Sequence, residues 1–487
     1  MSNASTLAAH IEDLDRSRVL CVGDLMLDRF VYGEVQRISP EAPIPVFRVE
    51  HQAAAPGGAG NVVRNVLSLG ASACFIAVVG DDPVGHELIG LVGDETQIEP
   101  YLLVERNRRS TLKTRYVAGG QQLLRADSET TQPISQQTAD NVIRVAADVM
   151  GQANVVILSD YAKGVLTPAV TSAIIADARA AEKPVVVDPK GTDFGRYQGA
   201  SVLTPNWREL AEAVMMPTGS QEELAEAARA ARERFEVSAI LVTRGAEGMS
   251  LVGPGDEVHH LAAEAREVFD VSGAGDTVIA SFSVALGQGT PMPDAVRLAN
   301  LAAGIVVGKV GTAVVYRDDL VRALHASELM YGEAKIMSPK ATLNRIVQWR
   351  RAGEKIGFTN GCFDLLHPGH VALLAQARAV CDRLVVGLNS DASAARFKGR
   401  GRPIQSEIAR AQVLASLATV DVIVIFGEDT PMKLIEAIRP EVLVKGADYR
   451  LEEVVGADFV QAYGGKVVLA EIRPGHSTSA TIARLSG

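Results

Sequence analysis

Short runs of apolar residues alternate along the chain with stretches rich in Ala, Leu and Glu. In the first half, the apolar runs predict strands at Arg18–Gly23, Cys74–Gly80, Val155–Ser159, Val185–Asp188 and Ile240–Thr243. Two of the stretches between them have the composition of helices, Pro168–Ala181 and Glu222–Phe235. Because these strands are apolar without strict alternation and are separated by helices, they indicate a parallel sheet covered on both faces.

A second series of alternating strands and helices begins near Lys355. Its strands are predicted at Lys355–Thr359, Leu384–Leu388, Val422–Phe426, Val442–Lys445 and Lys466–Leu469. Two stretches of the first series, Val31–Glu50 and Thr111–Asp127, depart from the pattern and predict extended segments that form a small lid sheet. We therefore expect an α/β protein with a first domain over 1–330, a linker over 331–350 and a second domain over 351–487.

Length, charge and cysteine content argue against several classes of protein. A chain of 487 residues exceeds the size at which one core stops growing. Its net charge of -10 argues against a general nucleic-acid binder. Its four cysteines form no CxxC pair, which indicates a reducing compartment and neither a zinc site nor a disulfide scaffold. The sequence shows no signal peptide and no apolar run long enough for a membrane span, so we expect a cytoplasmic protein.

The segment Asp270–Ala280 carries the most informative motif of the first half. Its small residues Gly273, Ala274 and Gly275 precede a stretch of good helix formers, which predicts a loop that turns into a helix. The start of a helix presents unpaired N–H groups to a phosphoryl group that gains charge during transfer. Asp276 is placed there to accept a proton from an attacking sugar hydroxyl. The alternative is that Asp276 only caps the helix and the glycines only turn the chain.

Other polar residues of the first half follow predicted strands. Asp24 and Asp28 come after the first strand, at the strand end where open α/β sheets bind ligands, and their carboxylates suit sugar hydroxyls. Asn206 and Glu209 follow another strand and are candidates to hold Mg²⁺, directly or through water. The glycine-rich segment Gly57–Asn65 permits close approach of the backbone to a ligand, and its candidate binding residues are Gly57, Gly58 and Asn61.

Together these segments resemble the ribokinase (PfkB) family of carbohydrate kinases, from about Arg18 to Arg322. The resemblance implies a three-layer domain with a β lid that binds ATP and a sugar. It implies that Asp276 is the catalytic base, that Gly273–Gly275 form an anion hole, and that Asn206 and Glu209 serve the Mg²⁺–phosphate arrangement. It also implies that Thr243–Gly248, with Thr243 and Gly245, lies near the nucleotide. Lys190 is a further candidate for substrate binding.

The second half contains Thr359–His370, which reads Thr-Asn-Gly-Cys-Phe-Asp-Leu-Leu-His-Pro-Gly-His after a predicted strand. His367 and His370 are three residues apart and share a face on a first helical turn. Two imidazoles there can donate hydrogen bonds to triphosphate oxygens, and Gly369 leaves room for a phosphate. Zinc ligation and a plain surface position are the alternatives, but no third ligand is evident nearby. Cys362 is interpreted as a packed small residue.

This segment is similar to the HxGH nucleotidyltransferases of the cytidylyltransferase-like superfamily, over about Lys355–Gly487, and implies a smaller Rossmann-like domain. The resemblance implies catalysis by His367, His370 and Lys398 without a covalent enzyme intermediate. The ATP contacts that it implies are Thr359, Asn360, Gly361, Phe363, Asp364, Gly369, Arg402, Ser477 and Thr478. The last two belong to a segment usually written ISTT, in which this chain has His476 for Ile and Ser479 for the second Thr.

As a whole, the chain resembles the bifunctional heptose enzymes of lipopolysaccharide precursor synthesis. The resemblance implies phosphorylation of D-glycero-D-manno-heptose 7-phosphate at O1, and AMP transfer from ATP to heptose 1-phosphate. A homodimer is expected. A sugar phosphate needs cations, and the candidates near the lid are Arg106, Arg108, Arg109, Lys113 and Arg115, unless they form a solvated charge run. The alternatives are another sugar kinase fused to a glycerol-phosphate-type cytidylyltransferase, or a non-catalytic metabolite sensor.

Overall fold

Two units, Met1–Leu324 and His325–Gly487, make up the chain in the computed structural model. The structure describes residues 4–255, 257–264, 268–309, 311, 313–324, 335–399, 402–447 and 449–471. None of the helices within these ranges is both long and apolar enough to cross a bilayer.

The first unit contains thirteen of the described strands. They are β1 (Arg18–Gly23), β2 (Leu25–Ile38), β3 (Pro45–Gly58), β4 (Ser72–Gly80), β5 (Ile98–Glu105), β6 (Thr111–Ala118), β7 (Gln121–Ser128), β8 (Val155–Ser159), β9 (Val185–Asp188), β10 (Val202–Leu203), β11 (Ala239–Thr243), β12 (Met249–Val252) and β13 (Val258–Leu261). The helices are α1 (Ala4–Glu12), α2 (Ala59–Ser68), α3 (Pro83–Gly93), α4 (Gln136–Met150), α5 (Pro168–Ala180), α6 (Trp207–Val214), α7 (Gln221–Phe235), α8 (Ala274–Gly287) and α9 (Met292–Val306). Residues 317–324 are also helical.

Nine strands of this unit form one sheet in the order β13-β12-β11-β10-β9-β8-β1-β4-β5. The strands from β5 to β11 run parallel, and β12 and β13 add an antiparallel edge. One buried apolar cluster joins the sheet to α1, α2, α3, α8 and α9, and a second joins its other face to α4–α7. The predicted three-layer α/β domain is therefore confirmed, and each of the five predicted strands is present within two residues of its expected bounds.

Four further strands form the lid sheet, in the order β3-β2-β6-β7. Only Asp24 separates β1 from β2, and β3 runs directly into α2, so the lid is continuous with the main sheet at its carboxyl edge. The pairs β2/β3 and β6/β7 are antiparallel, whereas β2 and β6 are parallel. The extended segments predicted at Val31–Glu50 and Thr111–Asp127 belong to this lid, and the strands are longer than predicted.

The second unit has a five-stranded parallel sheet in the order β16-β15-β14-β17-β18. Its strands are β14 (Ile356–Gly361), β15 (Arg383–Asn389), β16 (Val422–Phe426), β17 (Val442–Gly446) and β18 (Lys466–Ala470). Its helices are α10 (Pro339–Arg351), α11 (Pro368–Ala379), α12 (Asp391–Lys398), α13 (Glu407–Ala415), α14 (Met432–Ile438) and α15 (Ala457–Ala462). Most of the segment predicted as a linker is thus α10, whose Ile346 is buried in the core of this unit.

Arg410 of α13 ties together the loops at the carboxyl edge of this sheet. Its side chain is fully buried. Its guanidinium donates to the carbonyl oxygens of Cys362 and Gln405, and Nη2 donates to Asp391 Oδ1 at 2.8 Å. These three partners lie in three separate segments, so one buried cation fixes the positions of the loops that follow β14 and β15.

We predict that Arg410→Met destabilises the second unit by about 2–4 kcal/mol, because two carbonyls lose their donors and each such loss costs about 1–3 kcal/mol. Hydrogen exchange, measured separately on peptides of the two units, should show the loss only in the second. Arg396→Met is the matched control, since Arg396 forms an exposed pair with Asp429. Equal stability of the two variants would contradict the anchoring role of Arg410.

Candidate active sites

Asp276 occupies the third position of α8, directly after the turn made by Gly273. The first-turn N–H groups of Gly275 and Asp276 have no partner within the helix and are available to an anion. Gly273 has a φ of 79°, and a Cβ there would lie 2.8 Å from Asn61 Nδ2. The turn therefore needs glycine for its conformation and for space. The anion hole predicted at Gly273, Ala274 and Gly275 falls on this turn, where the N–H of Ala274 donates to the carbonyl of Val271, and it stays a prediction.

Both carboxylate oxygens of Asp276 accept hydrogen bonds. Asn61 Nδ2 donates to Oδ2 at 2.7 Å, and the hydroxyl of Tyr161 donates to Oδ1. Burial raises the pKa of Asp276 to about 6, the bonds from Asn61 and Tyr161 oppose the shift, and the charge of Asp28 adds to it. A carboxyl group with this pKa is ionised at neutral pH, and its pKa is close enough to the working pH for it to act as a proton acceptor.

A second contact fixes α2 against α8. Thr277 Oγ1 donates to Asn65 Oδ1 at 3.0 Å, and Asn65 Nδ2 donates to the carbonyl of Asn61. All three side chains are buried. Asn65 thus orients Asn61, and Asn61 in turn contacts Asp276. In this position Asn61 contacts the carboxylate of Asp276, whereas the sequence predicted a contact with the sugar.

The carboxylate of Asp24 binds the backbone of a neighbouring loop and does not line an open pocket. Its Oδ2 accepts from the backbone N–H groups of Tyr161 and Lys163, both at 2.9 Å, and its Oδ1 accepts from Val165 at 3.1 Å. The side chain is fully buried, and burial raises its pKa. Because three amides already use its oxygens, we assign Asp24 to positioning Tyr161 against Asp276, in place of the predicted contact with sugar hydroxyls.

Asp28 is the carboxylate of the lid that lies near Asp276. Arg115 of β6 donates to it, and a Cβ on Gly57 would lie 2.1 Å from its Oδ2. Glycine at position 57 is therefore required to admit the Asp28 side chain. Gly58, with a φ of 59°, makes the turn from β3 into α2. The structure thus brings Asp28 and Gly57 together, and the sugar contacts predicted for Asp28, Gly57 and Gly58 stay predictions.

Asn206 and Glu209 form a capping box at the start of α6. The Asn206 side chain accepts from the N–H groups of Arg208 and Glu209, and Glu209 Oε2 accepts from the N–H of Asn206. Glu209 Oε1 accepts from Lys190 Nζ at 2.6 Å. Asp188, at the end of β9, lies in the same region, and burial with the charges of Asp276 and Glu209 raises its pKa well above the usual range.

The remaining residues predicted for nucleotide or phosphate contact are distributed over two regions. Thr243 ends β11 beside Asn206, with which it forms an isolated bridge, and Gly245 follows with a φ of 59°. Near the lid, Arg108 donates to the carbonyls of Gln132 and Lys163. Arg106 and Arg109 are exposed.

In the second unit, a cavity of about 360 Å³ opens at the carboxyl edge of the sheet. Seven residues predicted from the sequence line it, namely Asn360, Gly361, Phe363, Asp364, His370, Lys398 and Arg402. Asn389, at the end of β15, and Lys445 of β17 complete one side of the wall. The cavity therefore collects side chains from the ends of β14, β15 and β17, as expected of a ligand site in a parallel sheet.

His367 occupies the N-cap position of α11 without a side-chain capping bond, and His370 is the third residue of the helix. Their rings stack with centroids 3.8 Å apart, and the ring of Phe363 lies 5.1 Å from His370. Burial, His367 and Lys398 together lower the pKa of His370 to about 4. His370 is thus neutral at physiological pH and offers one N–H donor. Phe363 has a φ of 43°, a strained value for a non-glycine residue, and this turn places its ring against His370.

Asp364 and Asn360 each hold a cation in the wall of the cavity. Arg402 Nε donates to Asp364 Oδ2, and the amides of Ile404 and Gln405 donate to Oδ1. Lys445 Nζ donates to Asn360 Oδ1 at 3.0 Å. Although burial opposes ionisation, the amide of Gln405 and the Arg402 guanidinium lower the pKa of Asp364. Thr359 is buried next to Asn360, and Gly369 lies in the first turn of α11.

Ser477 and Thr478, predicted to contact ATP, lie outside the described residues. Three residues now part of the sites were missed by the sequence reasoning. Tyr161 and Asp188 each stand within one or two residues of the end of a predicted strand, which is a usable signal. Arg410 lies inside an amphipathic helix, where nothing in its neighbourhood distinguishes it from a surface arginine.

Comparison with known proteins agrees with the two units. Residues 16–318 match the pfkB family carbohydrate kinase model, and residues 358–484 match the cytidylyltransferase-like model. The chain is 55% identical to the "Bifunctional protein HldE" of Paramagnetospirillum magneticum, with 100% of both chains covered. It is 56% identical to that of Rhodospirillum rubrum, covering 100% of this chain and 98% of the relative.

Among solved structures, phosphofructokinase-2 from Escherichia coli in complex with potassium has a TM-score of 0.55 and 20% identity, covering 64% of this chain and 99% of that chain. That likeness concerns the fold alone. The whole-length identity to the curated relatives and the two family matches carry the assignment. The chain belongs to the HldE family of bifunctional proteins, in which a pfkB-type carbohydrate kinase is joined to a cytidylyltransferase-like nucleotidyltransferase.

Proposed function

We propose that the first unit phosphorylates D-glycero-D-manno-heptose 7-phosphate at O1, giving the 1,7-bisphosphate. The second unit transfers AMP from ATP to heptose 1-phosphate, giving ADP-heptose and pyrophosphate for lipopolysaccharide core synthesis. One observation carries the proposal. A buried carboxylate in one unit and a stacked pair of imidazoles in the other both stand at a helix start on the carboxyl edge of a parallel sheet.

In the kinase unit, Asp276 accepts the proton of the O1 hydroxyl while that oxygen attacks the γ-phosphorus of ATP and ADP leaves. The first-turn N–H groups of α8 stabilise the charge that develops on the transferred phosphoryl group. Tyr161 and Asn61 hold the carboxylate in place, and Asp28 lies on the sugar side.

The residues present fit Mg²⁺ held mainly by ATP. The described residues contain no group of three or more acidic, His or Cys side chains suited to a metal ion. Glu209 offers one carboxylate, which Lys190 and the Asn206 amide already contact, so it serves best through water. Mg²⁺ in such sites keeps several waters and takes one or two carboxylates plus the substrate phosphates. Its chemistry there is neutralisation of phosphate charge.

In the transferase unit, an oxygen of the sugar 1-phosphate attacks the α-phosphorus of ATP, and pyrophosphate leaves. His367 and His370 donate hydrogen bonds to the phosphates, and Lys398 and Arg402 neutralise the leaving pyrophosphate. Neutral His370 can enter this role without the cost of burying a charge. Gly361, Asn360 and Thr359 supply the floor under the nucleotide.

The two reactions are not consecutive, because the 7-phosphate must be hydrolysed between them. A phosphatase-type reaction, for which neither unit provides a site among its described residues, has to act on the first product. We therefore propose that the two sites work independently of each other.

Two features support a cytoplasmic homodimer. The described lid sheet exposes the apolar side chains Ile38, Ile44, Val49, Leu123 and Leu124, an exposed group typical of a protein interface. All four cysteines are free, as expected in a reducing compartment.

The substrate assignment is tested by the products formed from a panel of sugars and nucleotides. We expect ATP-dependent phosphorylation of heptose 7-phosphate in preference to hexoses or nucleosides, and nucleotidyl transfer to heptose 1-phosphate with ATP in preference to CTP. Preferred transfer of CMP to glycerol phosphate, or an absence of both transfers, would instead support one of the two alternatives.

We predict that Asp276→Asn lowers the kinase rate by about 10²–10⁴ and leaves adenylyl transfer unchanged, since the general base is lost. His370→Ala should lower adenylyl transfer by about 10²–10³ and spare the kinase. ADP formation and pyrophosphate release, measured on both variants, report the two activities separately. Each variant is the control for the other, and retention of both activities in both variants would overturn the site assignments.

A pH prediction follows from the contacts of Asp276. Kinase kcat/KM should fall below about pH 6 as the carboxylate is protonated. Tyr161→Phe removes a bond that favours the ionised form, so the acid limb should move up by about 0.5–1 pH unit. The measurement is the pH profile of ADP formation, with adenylyl transfer as the internal control. An unchanged acid limb in Tyr161→Phe would rule out this positioning role.

A further inference from the structure

Two lysines approach the catalytic region of the kinase unit from different elements. Lys113 of β6 stands opposite Asp28 in the pairing of β2 with β6, so both side chains leave the same face of the lid. Lys163 lies in the loop that Asp24 holds, two residues after Tyr161. Both lysine side chains are largely buried, with 15% of each exposed.

One carboxylate bridges the two ammonium groups. Glu129 Oε1 accepts from Lys163 Nζ at 2.9 Å, and Glu129 Oε2 accepts from Lys113 Nζ at 3.3 Å. Lys163 and Lys113 lower the pKa of Glu129, so the bridge is ionic at neutral pH. Each carboxylate oxygen of Glu129 accepts a hydrogen bond from a different lysine. Two oxygens of a phosphate monoester could accept the same two hydrogen bonds. Glu129 is therefore an anion in a place that suits a phosphate.

The position relative to the base fits the proposed substrate. Tyr161 donates to Asp276, and two residues of extended chain, at most about 7 Å, separate Tyr161 from Lys163. A heptose 7-phosphate reacts at O1 and carries its phosphate at the other end of the molecule. With O1 at Asp276, the phosphate lies about one sugar's length away, a position compatible with Lys163, which is close to Tyr161 in the chain, and with Lys113, which shares a lid face with Asp28.

The other cations near the lid are less suitable. Arg115 pairs with Asp28, which is only 6% exposed, whereas the carboxylates that pair with the lysines are more exposed: Asp127, which accepts from Lys113 Nζ at 3.1 Å, at 25%, and Glu129 at 29%. Arg108 is occupied by the carbonyls of Gln132 and Lys163. Arg109 is exposed. Exposed side chains lose more conformational freedom when they bind and remain screened by water.

We propose that Lys113 and Lys163 bind the phosphate group of the sugar substrate, and that Glu129 occupies this subsite until the substrate displaces it. The inference rests on the proposed function of the kinase unit and goes beyond it, because it assigns the residues that select a phosphorylated sugar. Of the five cations near the lid that the sequence offered as candidates, Arg109 among them, the inference keeps Lys113 and adds Lys163.

The test compares heptose 7-phosphate with unphosphorylated heptose as kinase substrates of the full-length protein. Lys113→Gln and Lys163→Gln should each raise KM for heptose 7-phosphate about tenfold or more, and change KM for heptose little, because only the first substrate loses a charge-assisted hydrogen bond. Lys113→Arg and Lys163→Arg keep the charge and should retain most of the preference. Glu129→Gln removes the competing anion, so KM for heptose 7-phosphate should fall.

Lys183→Gln is the matched control, since Lys183 precedes β9 and lies at the opposite edge of the sheet. Adenylyl transfer by each variant shows that the chain is intact. An equal change in KM for both sugars would mean that the lysines only fasten the lid, and no change for either would exclude the subsite; both results overturn the inference. Failure of the unaltered protein to phosphorylate heptose 7-phosphate would instead overturn the proposed function.

Discussion

Both units depend on one constraint, the unpaired N–H groups that a helix presents where it starts at the carboxyl edge of a parallel sheet. The helices α8 and α11 start at such an edge, and each carries its reactive residue at the third position, Asp276 in one and His370 in the other. Burial then acts on both residues through the same physics with opposite sign. It raises the pKa of the carboxyl group and lowers that of the imidazole, because a low dielectric disfavours either charge. The carboxyl group becomes a usable base, and the imidazole becomes a neutral donor.

A carboxylate at the start of a helix needs partners if it is to stay buried and ionised. Asn61 and Tyr161 supply them, and each is itself held, Asn61 through the contacts of α2 with α8 and Tyr161 through the loop that Asp24 organises. The constraint on this one proposed catalytic group therefore extends to residues far from it in the sequence. Asp24 shows why a carboxylate at a strand end is not by itself a ligand: the backbone N–H groups of a neighbouring loop compete for the same oxygens.

The sequence was sufficient to predict what depends on local pattern. All ten predicted strands are present, and in nine of them the apolar run is largely buried, the edge strand β18 being the exception. The Gly-Ala-Gly-Asp and His-Pro-Gly-His segments lie at helix starts because their residues favour that geometry. Contacts between distant segments were not predictable in this way. The bond from Tyr161 to Asp276 joins positions 115 residues apart, and that from Arg410 to Cys362 joins positions 48 apart. Neither leaves a periodic or compositional signal.

The segment predicted as a linker, 331–350, contains most of α10, a helix that the local pattern did not reveal. Ser338 and Pro339 fall within the predicted linker, and they begin this helix: Ser338 caps it, and its side chain accepts from the N–H of Ala341. Serine and proline are common both in linkers and at the start of a helix, so they do not distinguish a linker from a helix. The burial of Ile346 in the core of the second unit shows that this segment is packed as a helix.

The distribution of charge explains how two phosphate chemistries coexist in one chain. In the transferase cavity, Arg402 is tied to Asp364 and Lys445 to Asn360, so these cations are fixed in orientation before a triphosphate arrives. In the kinase unit, Lys113 and Lys163 are instead paired with Glu129, a partly exposed side chain that follows the last lid strand. A cation held by a carboxylate on a surface loop can exchange that partner for a substrate anion at little net cost, because one ion pair replaces another. Cations with a fixed orientation suit the polyphosphate of a nucleotide, which is the same in every reaction cycle. Ion pairs whose carboxylate can be replaced by a substrate anion suit a site that must bind one phosphorylated sugar and bind other sugars only weakly.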